Sequence, residues 1–203
     1  MRRYPDPFYP VVDTVAWVRR LVALGVGTVQ LRAKDLGEAD ALAIVTDALA
    51  ATRGTDTRLV VNDHWRAAIS AGADHLHLGQ EDLAEADLGA IRGAGLTLGI
   101  STHDDDELET ALRAEPDYVA LGPIYPTTLK AMRFAPQGLD RIGEWKRRIG
   151  DVPLVAIGGI KLEGAEAIYA AGADSIAVVS DVTAAPDPDG RVRNWLALTS
   201  RRP

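Results

Sequence analysis

VVDTVAW, Val11–Trp17, separates the two architectures open to this chain. It lies where the apolar run FYPVV, Phe8–Val12, gives way to residues with helical spacing. A doubly wound open sheet usually carries a glycine-rich phosphate-binding turn at this first strand-to-helix junction. Here the junction holds Asp13 and Thr14 and no glycine. The helical segment TVAWVRRLVALG closes on Gly25, and Gly72, Gly95 and Gly172 likewise follow helical stretches, as C-terminal caps do. Strand-length apolar runs recur at TVQLR, RLVVN, DHLHL, LTLGI, DYVALG, PLVAI and SIAVV. With FYPVV they make eight, separated by helical segments such as EGAEAIYAAGA. Strands alternating with helices pair in parallel, because each return needs a crossover. Eight such units in 203 residues match a small barrel. The expectation is an α/β fold, a single (β/α)8 TIM barrel forming one domain over residues 1–203. APDPDG, Ala185–Gly190, reads as a turn before the last helix.

Composition narrows the function. The chain is 47% hydrophobic and 25% charged, as expected for a globular protein with a sizeable core. It contains no cysteine, which excludes disulfides, thiolate metal sites and cysteine nucleophiles. No signal peptide pattern opens the sequence, and no apolar run nears the ~18 residues of a membrane span. A cytoplasmic location without membrane partners is therefore expected. A net charge of −7 argues against nucleic-acid binding, so cations serving an anionic ligand must be concentrated locally.

In a barrel, chemistry gathers at the carboxyl ends of the strands. The second strand runs into QLRAK, where alternation places Gln30, Arg32 and Lys34 on one side and Val29 and Leu31 on the other. The third strand ends with Asn62 and Asp63, and the fourth offers His77, Gln80 and Asp82. The fifth ends at Ser101, the seventh at Gly158 and Gly159, and the eighth in VVSD. The sixth runs into LGPIYPTTLK, Leu121–Lys130. There Pro123 and Pro126 stop regular structure before Thr127, Thr128 and Lys130. Arginine and lysine recognise phosphate oxygens, and two carboxylates from different strand ends suit Mg²⁺. A glycine pair lets backbone approach a ligand closely. The set describes a magnesium diphosphate site, with a second phosphate near the seventh and eighth strands.

Simpler readings exist for individual residues. Asp63 and Asp82 each also suit a helix N-terminus, and Lys34 alone suits solvent. Asp104 to Asp106 are assigned to capping. His75 and His77 have the spacing of a zinc pair, but no third ligand is apparent. His103 reads as a polar residue at a helix entry, with a catalytic base as the minority reading. Position favours the ensemble, since independent decoration would not choose strand end after strand end.

VQLRAK, VNDHW, HLHLGQEDL, LGISTHD, ALGPIYPTTLK, VAIGGI and IAVVS, in that order, strongly resemble thiamine phosphate synthase (thiamine phosphate pyrophosphorylase). The resemblance runs from Phe8 to Ser180. It implies condensation of hydroxymethylpyrimidine diphosphate with thiazole phosphate, releasing pyrophosphate by a dissociative, Mg²⁺-assisted route. By motif, Arg32, Lys34, Asn62 and Lys130 resemble the diphosphate ligands, and Asp63 and Asp82 the magnesium ligands. Gln30 and Ser101 resemble pyrimidine contacts, with Asn62 shared. Thr127, Gly159, Val179 and Ser180 resemble the cradle of the thiazole phosphate. Arg32, Lys34, Lys130 and Ser101 are the implied catalytic groups. Leu129 stands where the family often has threonine, a departure that removes a hydroxyl donor to the thiazole phosphate unless Thr128 substitutes for it. Two alternatives stay open. One is a thiazole tautomerase using a base such as His103, and the other a non-catalytic barrel that binds thiamine or phosphate.

Overall fold

The computed structural model describes residues 4–127 and 134–200. Thr128, Leu129 and Lys130 therefore lie outside the described residues. Eight parallel strands close into a barrel in sequential order. They are β1 (Phe8–Val12), β2 (Thr28–Leu31), β3 (Arg58–Asn62), β4 (His75–Leu78), β5 (Thr97–Thr102), β6 (Tyr118–Leu121), β7 (Leu154–Ile157) and β8 (Ser175–Val178). The expected barrel is borne out, and each quoted apolar run supplies one strand. β8 closes on β1 through Phe8 against Ile176 and Tyr9 against Ala177.

The crossover helices follow from their caps. α1 (Val15–Ala23) starts because the Thr14 hydroxyl accepts from Trp17 N. α2 (Glu38–Thr52) and α3 (Trp65–Ala71) cover the next strands, and α3 stops at Gly72 in the left-handed conformation. The fourth return is split into α4 (Gln80–Glu85) and α5 (Leu88–Gly93), the second restarted by Asp87 accepting from Ala90 N. α6 (Asp105–Arg113) opens on an acid cap with a return bond one residue upstream. Asp104 Oδ1 accepts from Glu107 N, while Glu107 Oε2 accepts from His103 N. That arrangement bears out the capping assignment of Asp104 and places His103 at the helix entry.

The later returns are α7 (Gly138–Ile149), α8 (Ala165–Ala170) and α10 (Pro188–Thr199). Between β8 and α10 lies a short extra helix, α9 (Ser180–Thr183). APDPDG is only partly a turn, because Pro188 takes the first helical position after the Asp187 cap.

Apolar packing forms two layers. Val29, Leu31, Val119, Leu121, Ala156 and Ile176 face one set of helices, together with Trp145 and Trp195. Both indoles find acceptors: Trp145 donates to Thr102 Oγ1 at 3.0 Å and Trp195 to Asp181 Oδ2 at 2.7 Å. Inside the barrel a smaller cluster holds Tyr9, Val11, Val60, Tyr118, Ala120, Val155 and Ala177. The polar residues of the mouth rest on this plug. Among the described residues, no helix is long and apolar enough to cross a membrane.

Candidate active site

Strand alternation delivers the second strand as expected. Val29 and Leu31 pack toward helices, whereas Gln30 is buried inside and donates through Nε2 to Tyr9 OH at 2.8 Å. Arg32 follows at the mouth and Lys34 beyond it, exposed. Both cations act electrostatically on Asp63.

Asp63 sits directly after β3 with φ of 63°, in the left-handed region that a non-glycine residue adopts only at a cost. Its backbone is held there by Asp63 N donating to His77 O at 2.9 Å and Trp65 N donating to Asp63 O at 2.7 Å. The strained turn carries the carboxyl toward Asp82, in the first turn of α4, near enough for the two carboxyls to act on each other. Burial, then the adjacent Asp82 charge, pushes Asp63 above the usual carboxylate range, only partly offset by Lys34 and Arg32. Both line a cleft of about 170 Å³ together with Leu36, Glu38, Trp65 and Glu85. Beside them Asn62 is 4% exposed, and its Nδ2 has no hydrogen-bond partner. A buried amide donor is costly to leave unpaired, so Asn62 is a candidate for contact with a ligand.

His77 is buried, with Nδ1 2.9 Å from Tyr118 OH and Nε2 2.8 Å from Ser101 Oγ. His75 bonds Thr97 Oγ1 through Nδ1 at 2.6 Å. Both histidines are thus engaged in hydrogen bonds. Among the described residues no group of three or more His, Asp or Glu forms a metal cluster. Burial, then the Arg32 charge, lowers the His77 pKa to about 4. An unfolded histidine titrates near 6.5, so acidification through this window protonates the unfolded chain first and stability falls. The expected contribution is a loss of about 3 kcal/mol between about pH 7 and about pH 4, absent from the His77→Gln variant. Urea titrations of both proteins at the two pH values check it. Equal acid sensitivity would contradict it.

Thr127, Gly159 and Ser180 line a second, larger cleft of about 810 Å³, with Lys161 adding a cation. Ser180 opens α9, the short helix after β8 where barrels commonly hold phosphate. Val179 instead packs against the interior cluster, and its carbonyl accepts from Val182 N and Thr183 N. The floor of this cleft is braced by Asp181. It accepts from Arg191, from the Trp195 indole and from Leu162 N. Arg191 also grips Glu163 through both terminal nitrogens, drawing that carboxyl down to about 2.

The glycine pair has a reason that the sequence did not reveal. A methyl at Gly158 would meet Pro123 Cα at 2.6 Å, and one at Gly159 would meet Pro126 O at 2.5 Å. Both glycines also have positive φ. The close approach they permit is by the loop after β6, which is stitched to β7 by Ile124 N donating to Ile157 O and Tyr125 N to Gly158 O. Sequence reasoning also missed Tyr9 and Tyr118, whose hydroxyls meet at 2.9 Å inside the barrel. Their only signal was a tyrosine within each of two apolar runs.

A family model described as thiamine monophosphate synthase matches residues 8–182. The chain is 57% identical over 195 residues to thiamine-phosphate synthase of Rhizobium etli, covering 96% of each protein. It is 50% identical over 194 residues to that of Neisseria meningitidis, covering 96% of this chain and 95% of the relative. Thiamine phosphate pyrophosphorylase from Pyrococcus furiosus superposes with a TM-score of 0.83 at 26% identity, covering 95% of both chains. With the barrel closed, its polar groups gathered at the mouth and these relatives matched along nearly all its length, the chain belongs to the thiamine monophosphate synthase family.

Proposed function

We propose that the barrel, acting as one domain, joins hydroxymethylpyrimidine diphosphate to thiazole phosphate, giving thiamine phosphate and pyrophosphate. The observation that carries this reading is the Asp63–Asp82 carboxyl contact beside Arg32, Lys34 and the unpartnered Asn62 amide. Two adjacent carboxylates repel unless a proton or a cation lies between them. A hard divalent cation with a preference for oxygen fits this donor pair, and Mg²⁺ completes its sphere with water and phosphate oxygens. Asp63 and Asp82 would hold it. When bound, Mg²⁺ supplies positive charge to the leaving phosphate oxygens.

The chain's own residues do the rest. Arg32 and Lys34 hold the diphosphate, and Asn62 Nδ2 donates to it or to the ring. Gln30 and Ser101 orient the pyrimidine above the apolar interior. The C–O bond breaks with its electron pair leaving on pyrophosphate, and the thiazole nitrogen donates its pair to the resulting cation. The apolar plug of Val11, Val60, Ala120, Val155 and Ala177 keeps water from that cation until capture. Thr127, Gly159 and Ser180 cradle the thiazole phosphate, with Val179 anchoring the start of α9 from the interior side. Lys130, and Thr128 beside it, are assigned to the substrates on sequence alone.

A thiazole tautomerase would use a base such as His103, whose Nδ1 bonds Glu107 Oε2 at 2.6 Å and whose ring stacks on Phe134, but it would have no use for the paired Asp63 and Asp82 carboxyls. Three reactions separate the readings. The synthase needs both substrates, a tautomerase acts on the thiazole alone, and a binding barrel retains thiamine phosphate without forming it. Arg32→Ala is expected to weaken pyrimidine diphosphate affinity or turnover about tenfold or more while thiazole phosphate affinity stays within about twofold. Titration calorimetry with each substrate checks this, and equal losses for the two would contradict the placement of Arg32.

A further inference from the structure

Below the mouth, five side chains from five strands form one hydrogen-bonded chain. Gln30 Nε2 donates to Tyr9 OH at 2.8 Å, and the Tyr9 and Tyr118 hydroxyls are 2.9 Å apart. Tyr118 OH is 2.9 Å from His77 Nδ1, and His77 Nε2 is 2.8 Å from Ser101 Oγ. All except Ser101 are buried. Stacking of His77 on Tyr118, with ring centroids 5.5 Å apart, holds the middle of the chain in place.

Donor counting gives the chain a direction. The Gln30 nitrogen can only donate. If Tyr118 donated to Tyr9, the Tyr9 oxygen would accept from both of its partners, Gln30 and Tyr118, and its own hydrogen would have neither as an acceptor. Every donor is satisfied only in the outward order. Gln30 donates to Tyr9, Tyr9 to Tyr118, Tyr118 to His77 Nδ1, and His77 Nε2–H to Ser101. With Nδ1 accepting from Tyr118, the His77 ring proton sits on Nε2 and is donated to Ser101, as this order requires.

We propose that Tyr9, Tyr118 and His77 are positioning residues. Their hydrogen-bond order fixes the Ser101 hydroxyl as a donor and the Gln30 carbonyl as an acceptor at the mouth. The site thereby selects a ring that pairs a bare ring nitrogen with an exocyclic amino group, and rejects the oxo analogue, whose carbonyl would face the Gln30 oxygen. The ligand named here rests on the proposed function above, whereas the proton order does not.

Tyr118→Phe tests the proposal, since it removes one oxygen and keeps the ring. Without that oxygen the Gln30 and Ser101 ends are uncoupled. The preference in kcat/KM for the amino- over the oxo-pyrimidine diphosphate should fall about tenfold, mainly through KM for the pyrimidine. KM for thiazole phosphate should not change. Nitrogen NMR of wild-type protein should place the His77 proton on Nε2. A proton on Nδ1 would overturn the proposed order. A variant that loses activity equally on both pyrimidines would overturn the role in selection, leaving Tyr118 as packing. A wild-type protein that forms no thiamine phosphate would overturn the functional reading and the ligand with it, and the histidine spectrum would still decide the order.

Discussion

Asp63→Ala and Asp82→Ala should each lower turnover by about a hundredfold or more, the scale of losing one electrostatic contact to a leaving group. The expectation rests on contact between the two carboxyls and on the backbone strain that Asp63 accepts to reach Asp82. A strained turn persists only where the surroundings hold it, as the bond from Asp63 N to His77 O does here. Removing either carboxylate relieves repulsion in the metal-free protein, so neither variant should be less stable by more than about 1 kcal/mol. The signature is therefore an enzyme that is folded, slow and weak in Mg²⁺ binding. Exhaustive chelation of wild-type protein should give the same loss, reversed by added Mg²⁺. Turnover assays with titrated metal read both effects. Full activity after chelation would contradict the magnesium assignment.

Gly99→Ala should destabilise the protein by about 3 kcal/mol, near the upper end for an overpacked core. A methyl at Gly99 would land on the Tyr118 ring, which has nowhere to move. Its hydroxyl is tied to Tyr9 and His77, and its face is covered by the His77 ring. In a domain of this size that loss lowers Tm by about 10 °C. The double variant Gly99→Ala/Tyr118→Leu should recover part of it, because the shorter side chain vacates the collision. Calorimetry on the single and double variants measures the coupling. An unaltered Tm for Gly99→Ala would mean that the interior is looser than the packing around Tyr118 implies.

The strands were legible because each apolar run is bounded by glycine, proline or charge, and the absent glycine turn at VVDTVAW excluded the open sheet. Gln30, Arg32 and Lys34 were placed by alternation, which is readable where polar and apolar residues interleave. Tyr9 and Tyr118 were not placed, because parallel strands buried on both faces read as continuous apolar runs and hide which face is inward. The H-x-H pair likewise suggested metal by spacing alone, while the partners of His77 come from β5 and β6 and are invisible along the chain. Gly158 and Gly159 were recognised as places of close approach. What approaches them is the backbone at Pro123 and Pro126, more than thirty residues earlier in the chain.

Incubating the purified protein with hydroxymethylpyrimidine diphosphate, thiazole phosphate and Mg²⁺ tests the central claim most directly. Thiamine phosphate and pyrophosphate should appear in equal amounts, and neither should form when one substrate or the metal is withheld. Pyrophosphate released without thiamine phosphate, or no product from the complete mixture, would contradict the claim.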